Sequence, residues 1–275
     1  MTVRVLGPAD QRAVADLLGE DPVLNVFVSS RVIAGVLDRH TPGELWGYPG
    51  HPPRSLLHVG ANLVPVNAGP GAVRAYAERL GPQRSASAIL GLSDQVFALW
   101  EALSDLWGDN YAAARAVRER QPVLATDEVA PIPADPRVRQ VTMADFDSYF
   151  SAAVDMYTEE LGEDPLLTNP VGYRRYVASL VEMGRAFGIV ENGEVIFKAD
   201  VGAAGQGVSQ VQGVWVDRRL RGRGLAAPAM AAVTNAIIGS GRVAALYVND
   251  FNAPALATYR RCGYTERGVF TTVLY

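Results

Sequence analysis

The sequence predicts a mixed α/β fold that is built twice, in two similar halves of the chain. Residues 3–10 align without a gap to residues 138–145 and share four of the eight amino acids. Gly-Glu-Asp-Pro at 19–22 recurs at 162–165, at a similar depth in the second half. Between the halves, residues 126–136 contain three prolines, which is typical of a linker. We therefore expect tandem domains at 1–125 and 137–275.

In the second half, the apolar pattern predicts a mixed, mainly antiparallel, twisted sheet flanked by helices. Asn192-Gly193 between two apolar runs indicates a type I′ hairpin, so antiparallel strands come first. A helix between two later strands then makes a β-α-β crossover, which joins parallel strands. The expected strands are 138–142, 186–191, 194–201, 208–216, 243–248 and further strands within 264–275. The expected helices are 144–159, 170–183, 223–238 and 252–261.

The first half can be interpreted in the same order of elements. We expect strands near 3–6, 43–48, 55–59, 62–66, 85–90 and 115–124. We expect helices near 8–18, 23–36, 70–80 and 93–106.

Composition excludes several classes of protein. With 275 residues, 49% hydrophobic and a net charge of −4, the chain can bury large cores and has no general affinity for nucleic acid. No apolar run approaches 18 residues and the N-terminus lacks signal-peptide features, so we expect a soluble, cytoplasmic protein without a membrane partner. The single Cys262 excludes an intrachain disulfide. His40, His51 and His58 lack metal-ligand spacing, so we expect no metal.

The most informative segment is an apolar strand that enters a turn of arginines and glycines. Val214, Trp215 and Val216 precede Arg219-Leu220-Arg221-Gly222-Arg223-Gly224, and an alanine-rich helix begins at about Leu225. Glycines permit a tight turn, and the unpaired amides of a helix start favour a phosphate or pyrophosphate. Pro228 lacks an amide hydrogen, so we expect a kink in the second turn of this helix. A diphosphate-bearing cofactor is therefore expected.

Two cofactor classes fit this segment. Gly222-Arg223-Gly224-Leu225-Ala226-Ala227 partly matches the dinucleotide fingerprint, and Asn249-Asp250 follows the next strand. Arg219-Leu220-Arg221-Gly222-Arg223-Gly224 also resembles the acetyl-CoA loop of GCN5-related N-acetyltransferases (GNATs), Q/R-x-x-G-x-G/A. About 30 residues on, the segment 246–264 resembles that family's strand–helix–strand block, with Asn252, Ala255, Tyr259 and Gly263-Tyr264 in the recurring places. Two motifs in order favour the GNAT resemblance.

The resemblance implies roles for individual residues. The strand residues Val214, Trp215 and Val216 would pair with the pantetheine arm. The pyrophosphate would bind the loop residues Arg219, Arg221, Gly222, Arg223, Gly224, Leu225 and Ala226. Tyr259 would protonate the departing thiolate, since its unperturbed pKa of about 10 suits a thiol leaving group. Asn252 would bond the pantetheine chain or simply cap the last helix.

The general base stays open at this point. The strand before the loop has Gln210 and Gln212 where many GNATs place a glutamate, and Tyr247 stands where ribosomal-protein acetylases place one. The remaining candidates are Asp200, Glu159, Glu160, Glu163, the terminal carboxylate of Tyr275, or a base acting through water.

These observations predict an acetyl-CoA-dependent N-acetyltransferase acting by direct attack of a primary amine. A small-molecule amine is favoured over a protein or peptide amine, and the sequence leaves a homodimer open. The alternative is a non-catalytic module that binds or senses acyl-CoA. The first half has Asn67-Ala68-Gly69-Pro70-Gly71-Ala72 in place of the arginine loop, so we expect a degenerate copy. This half resembles the DUF4081 module, and the whole resembles the tandem arrangement of mycothiol-synthase-like acetyltransferases.

Overall fold

A computed structural model describes residues 2–275 and divides the chain into two compact units. The first unit comprises the residues up to Val123, with Tyr247–Asn252 and Glu266–Tyr275. The second comprises Leu124–Leu246 and Ala253–Thr265. The predicted domain boundaries at 125 and 137, which concern the two similar halves of the sequence, stay a prediction. Across residues 2–275, no helix combines the length and the apolar character needed to cross a bilayer.

The first unit is one sheet in the strand order β1-β2-β3-β4-β5-β12-β6. Its strands are β1 (Arg4–Val5), β2 (Glu44–Tyr48), β3 (Ser55–Val59), β4 (Asn62–Val66), β5 (Ala88–Leu92), β6 (Ala116–Thr126, to Val123) and β12 (Thr265–Leu274, from Glu266). Its helices are α1 (Gln11–Leu18), α2 (Val26–Ile33), α3 (Pro70–Leu80), α4 (Ser93–Trp107) and α5 (Asp109–Ala112). The first four strands pair antiparallel, whereas β4 and β5 are parallel.

The second unit repeats this plan in the order β11-β10-β9-β8-β7. Its strands are β7 (Arg139–Gln140), β8 (Ala186–Glu191), β9 (Glu194–Gly205), β10 (Val208–Val216) and β11 (Val243–Tyr247). Its helices are α6 (Phe146–Leu161), α7 (Pro165–Thr168), α8 (Pro170–Glu182), α9 (Ala226–Gly239) and α10 (Ala253–Arg261). The strands β7 to β10 pair antiparallel and β10 and β11 are parallel, so the predicted crossover is confirmed.

The predicted internal repeat has a structural counterpart in each unit. Asp10 accepts the amide of Gly7 at 2.9 Å and binds Arg4. At the equivalent place, Asp145 accepts the amide of Thr142 at 3.0 Å and binds Arg139 at 2.8 Å. In both units, this aspartate ends a 3-10 turn that leads from the first strand into a helix. The two halves therefore share local bonding as well as strand order.

Helices pack on the strands of each unit, and the cores follow from the apolar pattern. In the first unit, one core includes Leu99 and Tyr76 and a second includes Val14 and Leu45. In the second unit, a core around Tyr149 lies between the helices α6 and α8 and the strands. Burying side chains of this size stabilises the fold by roughly 1.5–3 kcal/mol each.

Two differences from the sequence prediction lie near the arginine–glycine loop. The helix α9 begins at Ala226 rather than at 223, so Pro228 lies in its first turn. The amides of a first turn have no intrahelical partner, so this proline removes no helical hydrogen bond and the kink expected from it has no cause there.

The type I′ hairpin is confirmed, since Asn192 and Gly193 both have positive φ angles, 51° and 80°.

Candidate functional site

The parallel strands β10 and β11 pair only at their beginnings. The register joins Val208–Gln210 to Val243–Ala245, while β10 continues to Val216. On its other side, β10 has an irregular register with β9 between Gln212 and Trp215. Within residues 2–275, the second half of β10 therefore has an edge that pairs with no strand on the β11 side. Val214, Trp215 and Val216, the residues predicted to bind the pantetheine arm, lie on this edge.

The loop after β10 presents a series of unpaired amides. A 3-10 turn at Arg218–Leu220 is capped by Asp217, which accepts the Arg219 amide at 2.8 Å. Gly222 and Gly224 follow with left-handed φ angles of 74° and 80°. Within residues 2–275, the amides of residues 222–227 have no hydrogen-bond partner. Consecutive free amides at the start of a helix form a site for an anion.

The predicted arginines contribute to this loop in different ways. Arg219 binds Asp217 and Glu194, at 2.6 and 2.8 Å. Arg221 binds Glu159 at 2.6 Å and donates to the Val216 carbonyl. The Arg223 side chain has no ion pair within the described chain and is exposed. Carboxylates therefore neutralise the charges of Arg219 and Arg221, two of the three arginines that were predicted to bind the pyrophosphate.

Glu159 organises the base of the loop. It accepts hydrogen bonds from Trp215 Nε1 at 3.1 Å, Arg218 at 2.8 Å and Arg221 at 2.6 Å. Burial opposes ionisation of this carboxyl, but the hydrogen bonds from its three donors outweigh burial and lower its pKa. Glu159 is thus an ionised anchor for β10 and the arginine turn rather than a free base.

Tyr259 lies on α10, which packs on the first turn of α9. Cys262 Sγ donates to the Ala227 carbonyl at 3.3 Å, which fixes this contact, and burial raises the pKa of the thiol to about 11. Tyr259 is only 7% exposed, and its ring centroid lies 6.0 Å from that of Tyr264. Burial, then the nearby Tyr264 and Glu160, raise the pKa of Tyr259. Its phenol is therefore kept protonated, as an acid requires.

Asn252 immediately precedes α10 and is grouped with the first unit. Its amide donates to the Asn249 carbonyl at 3.0 Å. The side chain of Asn249 accepts from Gln121 Nε2 at 2.9 Å. The amide oxygen of Asn249 is thus engaged within the protein.

A buried ionic network under β10 was not anticipated as a functional feature. Lys198 is fully buried and binds Asp200 at 2.7 Å and the Gly213 carbonyl at 2.9 Å. Tyr149 donates to the other oxygen of Asp200 at 2.5 Å. These bonds occupy Asp200, a candidate base. A signal was available, because Lys198 is the only lysine of the chain and Asp200, two residues on, shares its face of the strand.

Tyrosines of α6 and α8 lie close together, and one of them contacts β10. The rings of Tyr157 and Tyr173 lie 5.1 Å apart, and the Tyr173 hydroxyl donates to Ala153. The hydroxyl of Tyr176, which is 43% exposed, accepts a hydrogen bond from Gln212. Glu160 follows Met156 and Tyr157 by one helical turn, so the three share a face of α6.

Comparisons with known proteins agree with this geometry. Residues 145–264 match the acetyltransferase (GNAT) family, and residues 43–149 match a domain of unknown function, DUF4081. A comparison with curated protein sequences gives no significant match.

Solved structures share the fold over the whole chain. A GNAT-family acetyltransferase from Colwellia psychrerythraea is 11% identical with a TM-score of 0.60, covering 100% of both chains. A GCN5-related N-acetyltransferase from Sphaerobacter thermophilus is 18% identical, with a TM-score of 0.55 over 98% of this chain and 93% of that one. A tandem GNAT protein from the clavulanic acid biosynthesis pathway is 16% identical, with a TM-score of 0.57 over 99% and 98%. At these identities the likeness shows the fold.

The splayed mixed sheet, its amide-rich loop and the matched acetyltransferase segment define an acyltransferase. The second half of the chain contains a GNAT acetyltransferase domain, and a DUF4081 domain precedes it.

Proposed function

We propose that the protein is an acetyl-CoA-dependent N-acetyltransferase that transfers the acetyl group directly to a primary amine. The observation that supports this proposal most is the run of amides at 222–227, which have no hydrogen-bond partner within residues 2–275. This run contains two left-handed glycines and follows β10, the strand that separates from β11. A diphosphate fits this loop because its amides have no protein acceptor to lose. The GNAT family generally uses acetyl-CoA, so this diphosphate would be that of coenzyme A.

Donor binding would use β10 and its loop. The free edge at Val214, Trp215 and Val216 would pair with the amides of the pantetheine arm in the manner of an added strand. The amides of residues 222–227 would hold the pyrophosphate, and Arg223 would add a full charge. Asn252 would bond the pantetheine chain. Acetyl-CoA would supply an activated thioester carbonyl.

Transfer requires one new bond, one broken bond and two proton movements. The neutral amine nitrogen bonds to the thioester carbon, and the carbon–sulfur bond then breaks. Tyr259 gives its phenolic proton to the departing sulfur. A base takes the surplus proton from the acceptor nitrogen.

We propose Glu160, one of the open candidates, as that base, acting directly or through water. It follows Met156 by one turn of α6, and the methyl carbon of Met156 is 3.3 Å from where a Gly213 β-carbon would stand. Its charge also acts on Tyr259. Tyrosines and a carboxylate on the acceptor side favour a cationic amine, and we propose a small-molecule acceptor in the cytoplasm.

Calorimetric titration with CoA, acetyl-CoA and NADP tests the donor assignment. We expect heat with the first two and none with the third, and the reverse would favour a dinucleotide enzyme. Incubation with acetyl-CoA and a panel of small amines and peptides, followed by detection of free thiol, tests transfer. If CoA binds but no amine leads to release of free thiol, the alternative, a non-catalytic acyl-CoA sensor, is favoured. The ion pairs that engage Asp200 and Glu159 are consistent with that alternative.

A further inference from the structure

The buried Lys198 makes contacts that have no role in the acetyl transfer described above. Its ammonium lies 2.7 Å from Asp200 Oδ2 and donates to the Gly213 carbonyl at 2.9 Å. Tyr149, also buried, donates to Asp200 Oδ1 at 2.5 Å. These bonds therefore link α6 to β9 through Asp200, and β9 to β10 through the Gly213 carbonyl.

The Gly213–Val214 peptide bond lies in the irregular part of β10. Gly213 has a left-handed φ of 58°, and the register with β9 omits both Gly213 and Val214. A β-carbon at Gly213 would lie 2.8 Å from Asp200 Oδ2 and 2.9 Å from Lys198 Nζ, so the network fits only a glycine. The backbone is thus turned towards the lysine at the point where β10 enters the donor-binding edge.

The planarity of a trans peptide fixes where the next amide points. The carbonyl of Gly213 is directed at Lys198, so the N–H of Val214 must point the opposite way. The ladder with β9 resumes only at Trp215, so Val214 lies at the start of the part of β10 that the β11 register does not reach. An ammonium at the carbonyl oxygen also polarises the peptide and strengthens its N–H as a donor.

Stability alone gives little reason for this ion pair. Replacing a buried pair by apolar residues of similar volume is often neutral or stabilising, so such a pair is weak evidence for a stabilising role. The pair also engages the sole lysine of the chain directly beneath the proposed donor site.

We propose that Lys198 is a positioning residue for acyl transfer: through the Gly213–Val214 peptide, it aims and polarises the Val214 N–H at the thioester carbonyl oxygen of the donor. Asp200 and Tyr149 hold the ammonium in place. Negative charge develops on that oxygen when the amine attacks, and a fixed donor there stabilises the transition state. The inference rests on the proposed function, because it needs an acyl thioester in the splayed strands.

Isotope-edited infrared spectroscopy of bound acetyl-CoA, labelled with ¹³C at the thioester carbonyl, tests polarisation without turnover. We expect the wild-type protein to lower the carbonyl stretching frequency relative to free acetyl-CoA. Lys198→Met should return the frequency most of the way to the free value. Because this variant leaves Asp200 buried and unpaired, Lys198→Met/Asp200→Asn serves as the second variant, in which the amide still accepts from Tyr149.

Ser209→Ala is the matched control, since Ser209 is buried on the same strand at its paired end. It should keep the wild-type frequency. With any amine that is a substrate, kcat should fall about 10- to 100-fold in both Lys198 variants, less than the loss of a whole oxyanion donor. The Kd for CoA, which lacks the acyl carbonyl, should change less than about two-fold by comparison.

The outcomes separate the two proposals. If wild-type protein binds no acetyl-CoA, the proposed function fails. If it binds acetyl-CoA but a folded Lys198 variant keeps both the carbonyl frequency and kcat, the role of Lys198 is refuted while the proposed function stands.

Discussion

Tyr259 shows how burial prepares a single side chain for a proton transfer. Its phenol lies among α10, Tyr264 and the end of α6, where desolvation and the Glu160 charge both disfavour the phenolate and raise its pKa. A raised pKa keeps the proton on the acid at every pH at which the amine is reactive. The sequence identified Tyr259 by motif, but its burial depends on packing between elements far apart in the chain.

Replacing Tyr259 by Phe should remove the acid while leaving the packing of α10 intact. We expect kcat to fall about 100-fold, within the range for loss of a general acid, with little change in the Kd for CoA. For the wild-type enzyme, the raised pKa predicts no loss of kcat as pH rises towards 10. Tyr264→Phe is the control, since this tyrosine is equally buried and bonds Thr234. Undiminished turnover in Tyr259→Phe would remove the acid assignment.

His58 makes the first unit sensitive to mild acid. Its Nδ1 donates to the Asn62 carbonyl at 3.1 Å, while the buried Nε2 has no partner within the described residues. Burial lowers the pKa of His58 to about 4, from about 6.5 when unfolded. Between these values the unfolded chain takes up a proton and the folded chain does not, so stability falls with falling pH, by roughly 2 kcal/mol from pH 7 to pH 5.

His58→Asn should remove this dependence, because the amide nitrogen can replace Nδ1 as the donor without titrating. Urea unfolding at pH 7 and pH 5 measures it, with the exposed His40→Asn as control. The range from pH 7 to pH 5 avoids the titration of three stabilising aspartates. Hydrogen bonds from Arg4, Arg137 and Arg139 lower the pKa values of Asp10, Asp135 and Asp145, so these carboxylates lose their stabilisation only below about pH 4. Equal pH dependence in His58→Asn and wild type would contradict this account.

At the scale of elements, the loop between β10 and α9 was predicted correctly in its glycine turn but not in its ion pairs or in the start of the helix. Left-handed glycines and unpaired amides follow from the spacing of Gly222 and Gly224. The ion pairs of Arg219 and Arg221 could not be predicted, because Glu194 and Glu159 reach them from other elements. The helix start was misplaced by three residues, since alanines and leucine favour helix on either side of the true boundary.

Alanine at Gly222 or Gly224 should weaken CoA binding by distorting the amide cradle. Each position has a positive φ, where a side chain costs about 1–2 kcal/mol. We expect the Kd for CoA to rise about ten-fold or more by calorimetry. Gly207→Ala is the matched control, because Gly207 has a φ of 77° and equally open surroundings in the β9–β10 turn. Binding that weakens equally in Gly207→Ala would show general strain rather than a role for the loop.

At the scale of the whole molecule, the two units share one strand plan, but in the part of the chain that the structure describes only the second has the loop of unpaired amides after its splayed strand. In the first unit, β4 and β5 also pair only at their beginnings, at Asn62 and Leu63. After β4, however, the Ala68 amide donates to Gln95 at 2.9 Å and Asn67 donates to Glu20. An acidic neighbour and a bonded amide disfavour an anion, which supports the proposal of a degenerate copy.

The tandem plan was predictable because a short repeat retained its Arg–Asp contact in both copies. The position of the last strand was not, since strand pairing depends on edges that no local pattern specifies. The sequence placed residues 264–275 in the second domain, whereas Phe270–Leu274 of β12 pairs with β5 in the first unit. The apolar alternation of β12 predicts a strand but does not identify its neighbour.

This pairing predicts that the C-terminus stabilises a distant part of the sequence. Val273 is fully buried, pairs with Ile89 and belongs to the same core as Leu99 and Tyr76. Val273→Ala should destabilise the first unit by about 1–3 kcal/mol, the range for deleting buried methyl groups. Hydrogen exchange at the amides of β5 should accelerate accordingly, because opening of the β5–β12 ladder exposes them. The exposed Arg267→Ala on the same strand is the control. If exchange in β5 were equally slow in both variants, the strand pairing that completes the first unit would be wrong.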